Sequence, residues 1–278
     1  MRIAIVSTRQ LDIPDTDEEL LLPELPEGHL VHWDDPDVDW ASFDVAVLRS
    51  TWNYTEHLDE FLAWATRISQ VTRLVNPVEI IEWNTDKRYL GDLANRGIPT
   101  VPTVFFAPGE QVPADAVDGR VVVKPSVGAG SKGARMFRDD VEGALAHAAS
   151  LHAEGSTAMI QPYLDGVDEQ GETALVFLGG EFSHAARKAA ILSKNMSWST
   201  GLYADEKIVP TTATPDELAL ARRILDEIPG LAYARVDLLP TADGPVVLEL
   251  ELTEPSLFLA MDPGAPARAA AAFRSLLA

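Results

Sequence analysis

Toward its end the chain sets two strand-like runs back to back, Tyr233–Leu239 and Val246–Leu252, across a turn of proline, aspartate and glycine at 240–245. Such a pattern predicts a β-hairpin. Period 2 puts Arg235 and Asp237 on one face of the first strand and Glu249 and Glu251 on one face of the second, with Leu248, Leu250 and Leu252 opposite. A register pairing Asp237 with Glu249 gathers three carboxylates and an arginine on one surface. Carboxylates at that spacing repel one another, and a hard divalent cation such as Mg²⁺, its shell completed by phosphate oxygens, relieves the repulsion. A solvated strand face carrying ordinary charges is the other reading of the same pattern.

At 278 residues and 46% hydrophobic content, the chain can bury a substantial core in one to three compact units. No apolar run approaches membrane-spanning length. Met-Arg-Ile-Ala-Ile-Val-Ser at the start reads as a first strand rather than a signal peptide, so the cytoplasm is the expected compartment. The absence of cysteine excludes disulfides, thiolate metal sites and a cysteine nucleophile. Net charge is −21, from 43 acidic and 22 basic residues, which argues against nucleic acid or an anionic membrane as partner. Eleven acidic residues and no lysine or arginine lie between Leu11 and Trp40, a run that reads as solubilising surface. An anionic ligand would need positive charge concentrated locally, which singles out the few lysines.

Order along the chain separates an α/β beginning from a strand-rich end, expected to pack as lobes around a cleft. Residues 1–82 predict an open α/β unit, with strands Arg2–Ser7, Asp44–Leu48 and Arg73–Asn76 and an amphipathic helix Glu56–Gln70. Thr85-Asp86 is expected to cap a helix ending at Gly97. Residues 83–158 add extended stretches at Thr103–Phe106 and Arg120–Lys124 and a helix over Val141–Ala153. Residues 159–278 carry the later strands, including Glu172–Phe177 and Glu181–Arg187, a helix opened by the capping box Thr214-Pro215-Asp216-Glu217, and an Ala-rich final helix. The stretch Ala158–Tyr163 reads as a strand spanning the boundary between the last two units.

Gly128-Ala129-Gly130-Ser131-Lys132-Gly133 spells the dinucleotide fingerprint, but Ala134–Phe137 continues as a strand where that fingerprint needs a helix. Strand, glycine loop, strand describes a flap whose N–H groups and Lys132 can meet phosphates, or an ordinary β-turn. Lys124 ends a run of valines just before the flap, either as a phosphate ligand or as a lysine snorkelling from an edge strand. Lys87, placed by the sequence in the first turn of its helix, opposes the helix dipole there, and a bound phosphate would account for it. Gln161-Pro162-Tyr163-Leu164 reads as a strand running into a hinge with backbone groups free for an adenine edge. The loop Arg49-Ser50-Thr51-Trp52-Asn53-Tyr54 follows the carboxyl end of a strand, where open α/β units bind ligands, and could hold an amino acid's carboxylate and amine. The six histidines receive no role.

Lys87, Val-Val-Lys124-Pro with its glycine loop, Gln161-Pro-Tyr-Leu, Gly171-Glu172, Arg187, Arg235-Val-Asp237 and Glu249-Leu-Glu251 occur in the order of the ATP-grasp ligases, and the chain resembles their glutathione-synthetase-like branch from about residue 84 onward. Leu48–Tyr54 and the ending Glu-Leu-Glu-Leu-Thr-Glu-Pro255-Ser256-Leu257 are similar to the O-ureido-D-serine cyclo-ligase group of D-cycloserine biosynthesis. The resemblance implies an ATP-grasp fold of mixed α/β lobes: an N-terminal pre-ATP-grasp domain, a central lobe and a C-terminal antiparallel lobe, with ATP between the last two. It implies that Lys87 and Lys124 contact ATP phosphates beneath the loop of Gly130, Ser131 and Lys132. Gln161, Tyr163 and Leu164 would hold adenine, Glu169 the ribose, and Glu172 would lie near the nucleotide. Asp237, Glu249 and Glu251 would bind one or two Mg²⁺ ions, with Arg187 and Arg235 stabilising the transferring phosphoryl group. Arg49, Ser50, Thr51, Asn53, Tyr54 and Ser256 would face the substrate. Two positions depart from the family pattern: many relatives carry asparagine where this chain has Glu251, and glycine where it has Ser256.

The expected activity is ATP- and Mg²⁺-dependent activation of a small amino acid carboxylate as an acyl phosphate, followed by attack of a nitrogen. In the cyclo-ligase version O-ureido-D-serine closes to D-cycloserine. Rival readings are an intermolecular amino acid or peptide ligase, a non-catalytic ATP-binding regulator and, from the glycine string alone, an NAD-binding oxidoreductase. Expected partners are a small amino-acid-like substrate and a second copy of the chain in a homodimer, with neither nucleic acid nor membrane.

Overall fold

Strands buried on both faces read as unbroken apolar runs, and the first sheet is built from them. In the computed structural model, which describes residues 1–11, 15–189 and 207–277, this sheet holds β1 (Ile3–Ser7), β2 (Gly28–His32), β3 (Val45–Leu48) and β4 (Arg73–Val75). All are parallel, in the order β2-β1-β3-β4. Helix α1 (Thr16–Leu21) lies between β1 and β2, and α2 (Leu58–Ile68) between β3 and β4. The predicted stripe of α2 is buried at Phe61, Ala65 and Ile68, with Trp64 added.

The acidic run is not all surface. Asp17 and Glu18 are 3% exposed, and Asp17 accepts from Leu257 N (2.6 Å) and Leu259 N (2.7 Å), tying α1 to the loop that follows the C-terminal hairpin. The single helix expected up to Gly97 is also different. Two short helices occur, α3 (Val78–Asn84) and α4 (Tyr89–Asn95). Lys87 sits in the turn between them, where its N–H donates to Ser126 O at 2.8 Å and Asp86 accepts from Arg88 N.

The central sheet holds β5 (Val104–Phe106), β6 (Arg120–Pro125), β7 (Arg135–Arg138) and β8 (Ala158–Pro162), antiparallel, in the order β5-β8-β6-β7. Helix α5 (Val141–Ala153) covers one face, packing Ala144, Ala148 and Leu151 on Val121, Val123 and Ile160. Alternation therefore turns Val122 and Lys124 to the other face, toward the cleft.

After the short helix α6 (Gly166–Gln170), the third sheet takes β9 (Glu172–Leu178), β10 (Glu181–Lys188) and β11 (Ile208–Thr211). Helix α7 (Pro215–Leu225) carries the predicted capping box. The predicted hairpin follows as β12 (Tyr233–Thr241) and β13 (Gly244–Glu251), and α8 (Ala265–Ser275) comes last. Its order is β11-β10-β9-β12-β13, all antiparallel. One face buries Leu175, Phe177 and Val236 beneath α7 and α4. The other buries Val176, Leu178 and Tyr233 with Phe273 of α8 and with Ile3 and Ile5 of β1, so the first and third sheets share a core.

Two asparagines stitch this joint. Asn76 donates to Tyr233 O (3.0 Å) and Leu252 O (2.8 Å) and accepts from Ala232 N (2.9 Å). Asn84 donates to Leu250 O and accepts from Leu252 N, both at 2.7 Å. Their amides serve as a substitute strand edge, satisfying buried backbone groups that would otherwise stay unpaired. Among the described residues no helix is long and apolar enough to cross a membrane.

Candidate active site

The hairpin register predicted from alternation is the one observed: Asp237 pairs with Glu249 and Arg235 with Glu251, with a bulge just beyond Asp237. The charges are not on a solvated face. β12 is the strand between β9 and β13, and Asp237 is fully buried. Asp237, Glu249 and Glu251 bring one carboxylate oxygen each within 4.8 Å of one another. Glu249 and Glu251 stand in the wall of a cavity of about 560 Å³ between the central and third sheets, floored by the N-terminal unit, with Asp237 buried behind them.

Each of these carboxylates meets a cation. Lys124 Nζ donates to Glu249 Oε1 at 2.8 Å, and Lys87 Nζ lies 3.9 Å from the same oxygen while donating to Gly128 O of the flap at 2.7 Å. Arg235 donates to Asp237 (Nε to Oδ1, 2.9 Å), to Ser256 O (2.8 Å) and to Glu251. Lys188 donates to Asp237 Oδ2 at 3.0 Å and pairs with Glu172. Four carboxylates of this cluster thus face four cations inside an acidic protein. Burial opposes the charge of Glu249, yet Lys124 and Lys87 hold its carboxyl below the usual range. Arg235 and Lys188 do the same for Asp237 against its burial. Glu172 shifts the other way: burial, with Asp237 beside it, pushes its carboxyl up despite Lys188.

Gly130, Ser131 and Lys132 form the flap between β6 and β7 and line the cavity. Gly133, at φ +74°, ends the flap where a Cβ would press on Pro125 at 3.0 Å, so only glycine fits. Lys132 pairs with Glu56 of the N-terminal unit, drawing the flap across the cleft. At the other end Gln161, Tyr163 and Leu164 lie in the wall, where Val122, Val167, Leu239 and Leu248 make an apolar slot. Tyr163 stacks beneath the Arg120 guanidinium, 3.7 Å from its ring centre.

Other expected residues fall outside. Glu169 is exposed on α6, whose contribution to the cavity is Val167, while Asp168 is held by Arg120 and Tyr163. Arg187 donates to Gln170 O at 2.8 Å and is not in the wall. Adjacent positions on a strand face opposite ways. Lys188, across from Glu172, takes the cleft side. Of the 49–54 loop only Trp52 and Tyr54 reach the cavity. Arg49 is buried and donates to Leu48 O and Pro255 O, Ser50 bonds Ser7 and Glu18, Thr51 is fully buried, and Asn53 accepts from Trp33 Nε1 at 2.7 Å. Arg49 thus ties the loop to the segment after the hairpin, while Ser50 and Asn53 bond within the N-terminal unit. Ser256 lines the cavity as expected. The residues that sequence reasoning passed over are Lys188, Asp15 and Glu254, the last lying inside the quoted Glu-Leu-Thr-Glu-Pro motif.

Residues 3–76 match the family profile described as D-cycloserine synthetase DcsG, N-terminal domain. The Cycloserine biosynthesis protein DcsG of Streptomyces lavendulae is 41% identical over 244 residues, 82% of this chain and 81% of that protein. The chain belongs to the DcsG family. Its fold is that of the ATP-grasp ligases. The crystal structure of D-cycloserine synthetase DcsG superposes with a TM-score of 0.92 at 35% identity, covering 100% of both chains. More distantly, D-alanine–D-alanine ligase from Bacillus anthracis, complexed with ATP, shares the fold at a TM-score of 0.70 and 15% identity, covering 100% of this chain and 97% of that one. For this DcsG-family chain the fold places the glycine string in an ATP-grasp flap rather than in a Rossmann turn.

Proposed function

We propose that the cleft uses MgATP to convert the carboxylate of O-ureido-D-serine to an acyl phosphate, on which a nitrogen of the same molecule closes the ring, and that hydrolytic loss of the carbamoyl group as carbon dioxide and ammonia then gives D-cycloserine. The observation that carries the phosphoryl-transfer reading is the balanced cluster: three acidic oxygens within 4.8 Å, with Lys87, Lys124 and Arg235 around them, under a glycine flap. The donor set suits a hard ion, all oxygen and all carboxylate, so Asp237, Glu249 and Glu251 would hold Mg²⁺. When bound, that ion neutralises phosphate charge and orients the transferring group. The names of two similar proteins, both tied to cycloserine, support the choice of substrate.

The chain's own residues supply the rest. The apolar slot takes the adenine against the Gln161–Leu164 segment. Lys87 and Lys124 exchange Glu249 for phosphate oxygens, which costs little because both states pair every charge. Arg235, fixed by Asp237 and the Ser256 carbonyl, meets the transferring phosphoryl group without having to reorganise. Lys132, leaving or keeping Glu56, closes the flap and excludes water that would hydrolyse the acyl phosphate.

Mg²⁺-dependent ADP release with O-ureido-D-serine alone, together with a cyclic product by mass, is the expected result. Release only when two amino acids are supplied would replace cyclisation by intermolecular ligation. Tight ATP binding with no release on either would overturn the ligase reading for this cleft.

A further inference from the structure

Three cavity carboxylates form no ion pair among the described residues: Asp15 and Asp17 of the N-terminal unit, which accept from backbone amides, and Glu254, which does not. Glu172, Asp237, Glu249 and Glu251 all touch a lysine or arginine, whereas Glu254 forms no ion pair among the described residues. It is nonetheless 8% exposed and lines the cavity beside Tyr54 and Ser256. Its place is fixed on every side. Trp52 Nε1 donates to Glu254 O at 3.2 Å, Arg49 holds the next carbonyl, and Asp17 holds the amides of Leu257 and Leu259. The Tyr54 hydroxyl, stacked in place on Phe61 at 4.9 Å between ring centres, hydrogen-bonds the Glu254 side chain. Glu254 stands three residues beyond Glu251, on the wall where the acyl phosphate would form. A buried carboxyl with no cation, no cap to satisfy and a hydroxyl to aim it is placed to exchange a proton with a bound reactant.

We propose that Glu254 is the general base of the nitrogen-transfer half of the reaction, an inference that rests on the ligase reading above. As the N–C bond forms, the C–O bond to phosphate breaks and phosphate leaves with the bonding pair. The N–H proton passes to the Glu254 carboxylate and then to solvent, which leaves the carbamoyl group on the ring nitrogen; one water then removes it as carbon dioxide and ammonia, and with that water atoms and charge balance. The groups facing Glu254 set the pH toward which its base form becomes available. Burial, then Glu251, push its carboxyl up to about 8, while Lys87, Tyr54 and Arg235 pull the other way. Phosphoryl transfer needs no such base, because a carboxylate nucleophile has no proton to lose, so the two half-reactions separate at this residue.

The test is product formed per ADP released, with O-ureido-D-serine and MgATP, in wild type and Glu254→Gln. The wild type is expected near one product per ADP. The variant is expected to slow ring closure by at least about a hundredfold, the low end of what general base catalysis supplies, and to lose most of that ratio because its acyl phosphate is lost to water. Hydroxylamine should trap the diverted intermediate as a hydroxamate, and Glu254→Asp should recover part of the ratio. Affinity for an ATP analogue is the check that the variant is folded. A ratio unchanged in Glu254→Gln, or equal losses of ADP and product, would overturn the assignment and leave Glu254 a packing residue. A wild type that binds ATP but releases no ADP would overturn the ligase reading, and this role with it.

Discussion

Lys124→Met keeps the aliphatic stem and removes the ammonium. The ammonium lies 2.8 Å from Glu249 Oε1, with the two side chains 13% and 19% exposed. Breaking a buried pair outright costs about 3–5 kcal/mol, but Lys87 remains 3.9 Å from the same oxygen, so the free protein should lose nearer ~2 kcal/mol. The larger effect falls on the nucleotide. A hydrogen bond to a charged group contributes about 1.5–3 kcal/mol, which at about 1.4 kcal/mol per tenfold weakens ATP about 10- to 150-fold. Calorimetric titration with a non-hydrolysable ATP analogue reads this, and denaturant unfolding reads the first term. Pairing the change with Glu249→Gln should restore stability and leave affinity low, because only the folding loss comes from an orphaned carboxylate. Affinity within threefold of wild type would remove Lys124 from the phosphate site, whatever happened to stability.

Neighbouring residues on β10 should behave oppositely: Lys188→Met is expected to lower kcat by about 100-fold as a lost electrostatic contact, whereas Arg187→Ala should stay within about threefold. The reverse ranking would place the strand with the other face to the cleft. Glu249→Gln should abolish turnover while the free protein still unfolds cooperatively, and an active variant would refute the metal site. Asp15, Glu172 and Glu254 are pushed up to about 7, 8 and 8, so between their ordinary acidic range and those values the folded chain holds protons that the unfolded chain releases. Stability is therefore fully present at low pH and falls as pH rises through that window, by up to about 1.4 kcal/mol per unit for each group. Urea unfolding at pH 5 and pH 8 measures the slope, and Glu254→Gln should make it shallower. Asn76→Ala removes three buried hydrogen bonds and should cost about 3 kcal/mol, seen as a melting point lower by about 10 °C.

What could be read in advance follows from which interactions are local. The pairing of Asp237 with Glu249 follows from strand period and a short turn, and the α7 capping box from four adjacent residues. Charge is different, because whether a carboxylate is solvated depends on what packs against it. Asp17 and Glu18 sit in an acidic run that looks like surface, yet they answer backbone amides and a serine more than 30 residues away. Arg187 and Lys188 show a second limit. β10 slips register between Phe182 and His184, so counting alternation along the strand cannot say which basic residue faces the cleft, while its partner Glu172 can. The 49–54 loop was expected to meet substrate because its side chains are polar. Arg49 reaches across to the Pro255 carbonyl, Ser50 and Asn53 bond within the N-terminal unit, Thr51 is buried, and of this loop only the aromatic residues reach the cavity.

The core shared by the first and third sheets bears on how such a chain can be rearranged. The family profile for the N-terminal domain ends at Asn76, the residue whose amide reaches into the C-terminal hairpin. A cut there would strip Ile3, Ile5 and Val47 of Tyr233, Leu257 and Phe273, leaving an apolar face open to water. Recombination at that border would therefore yield insoluble halves unless the hairpin loop and final helix travelled with the first 76 residues. The inheritable module is discontinuous in sequence: two ends of the chain joined, with the central lobe as the insert that can be exchanged.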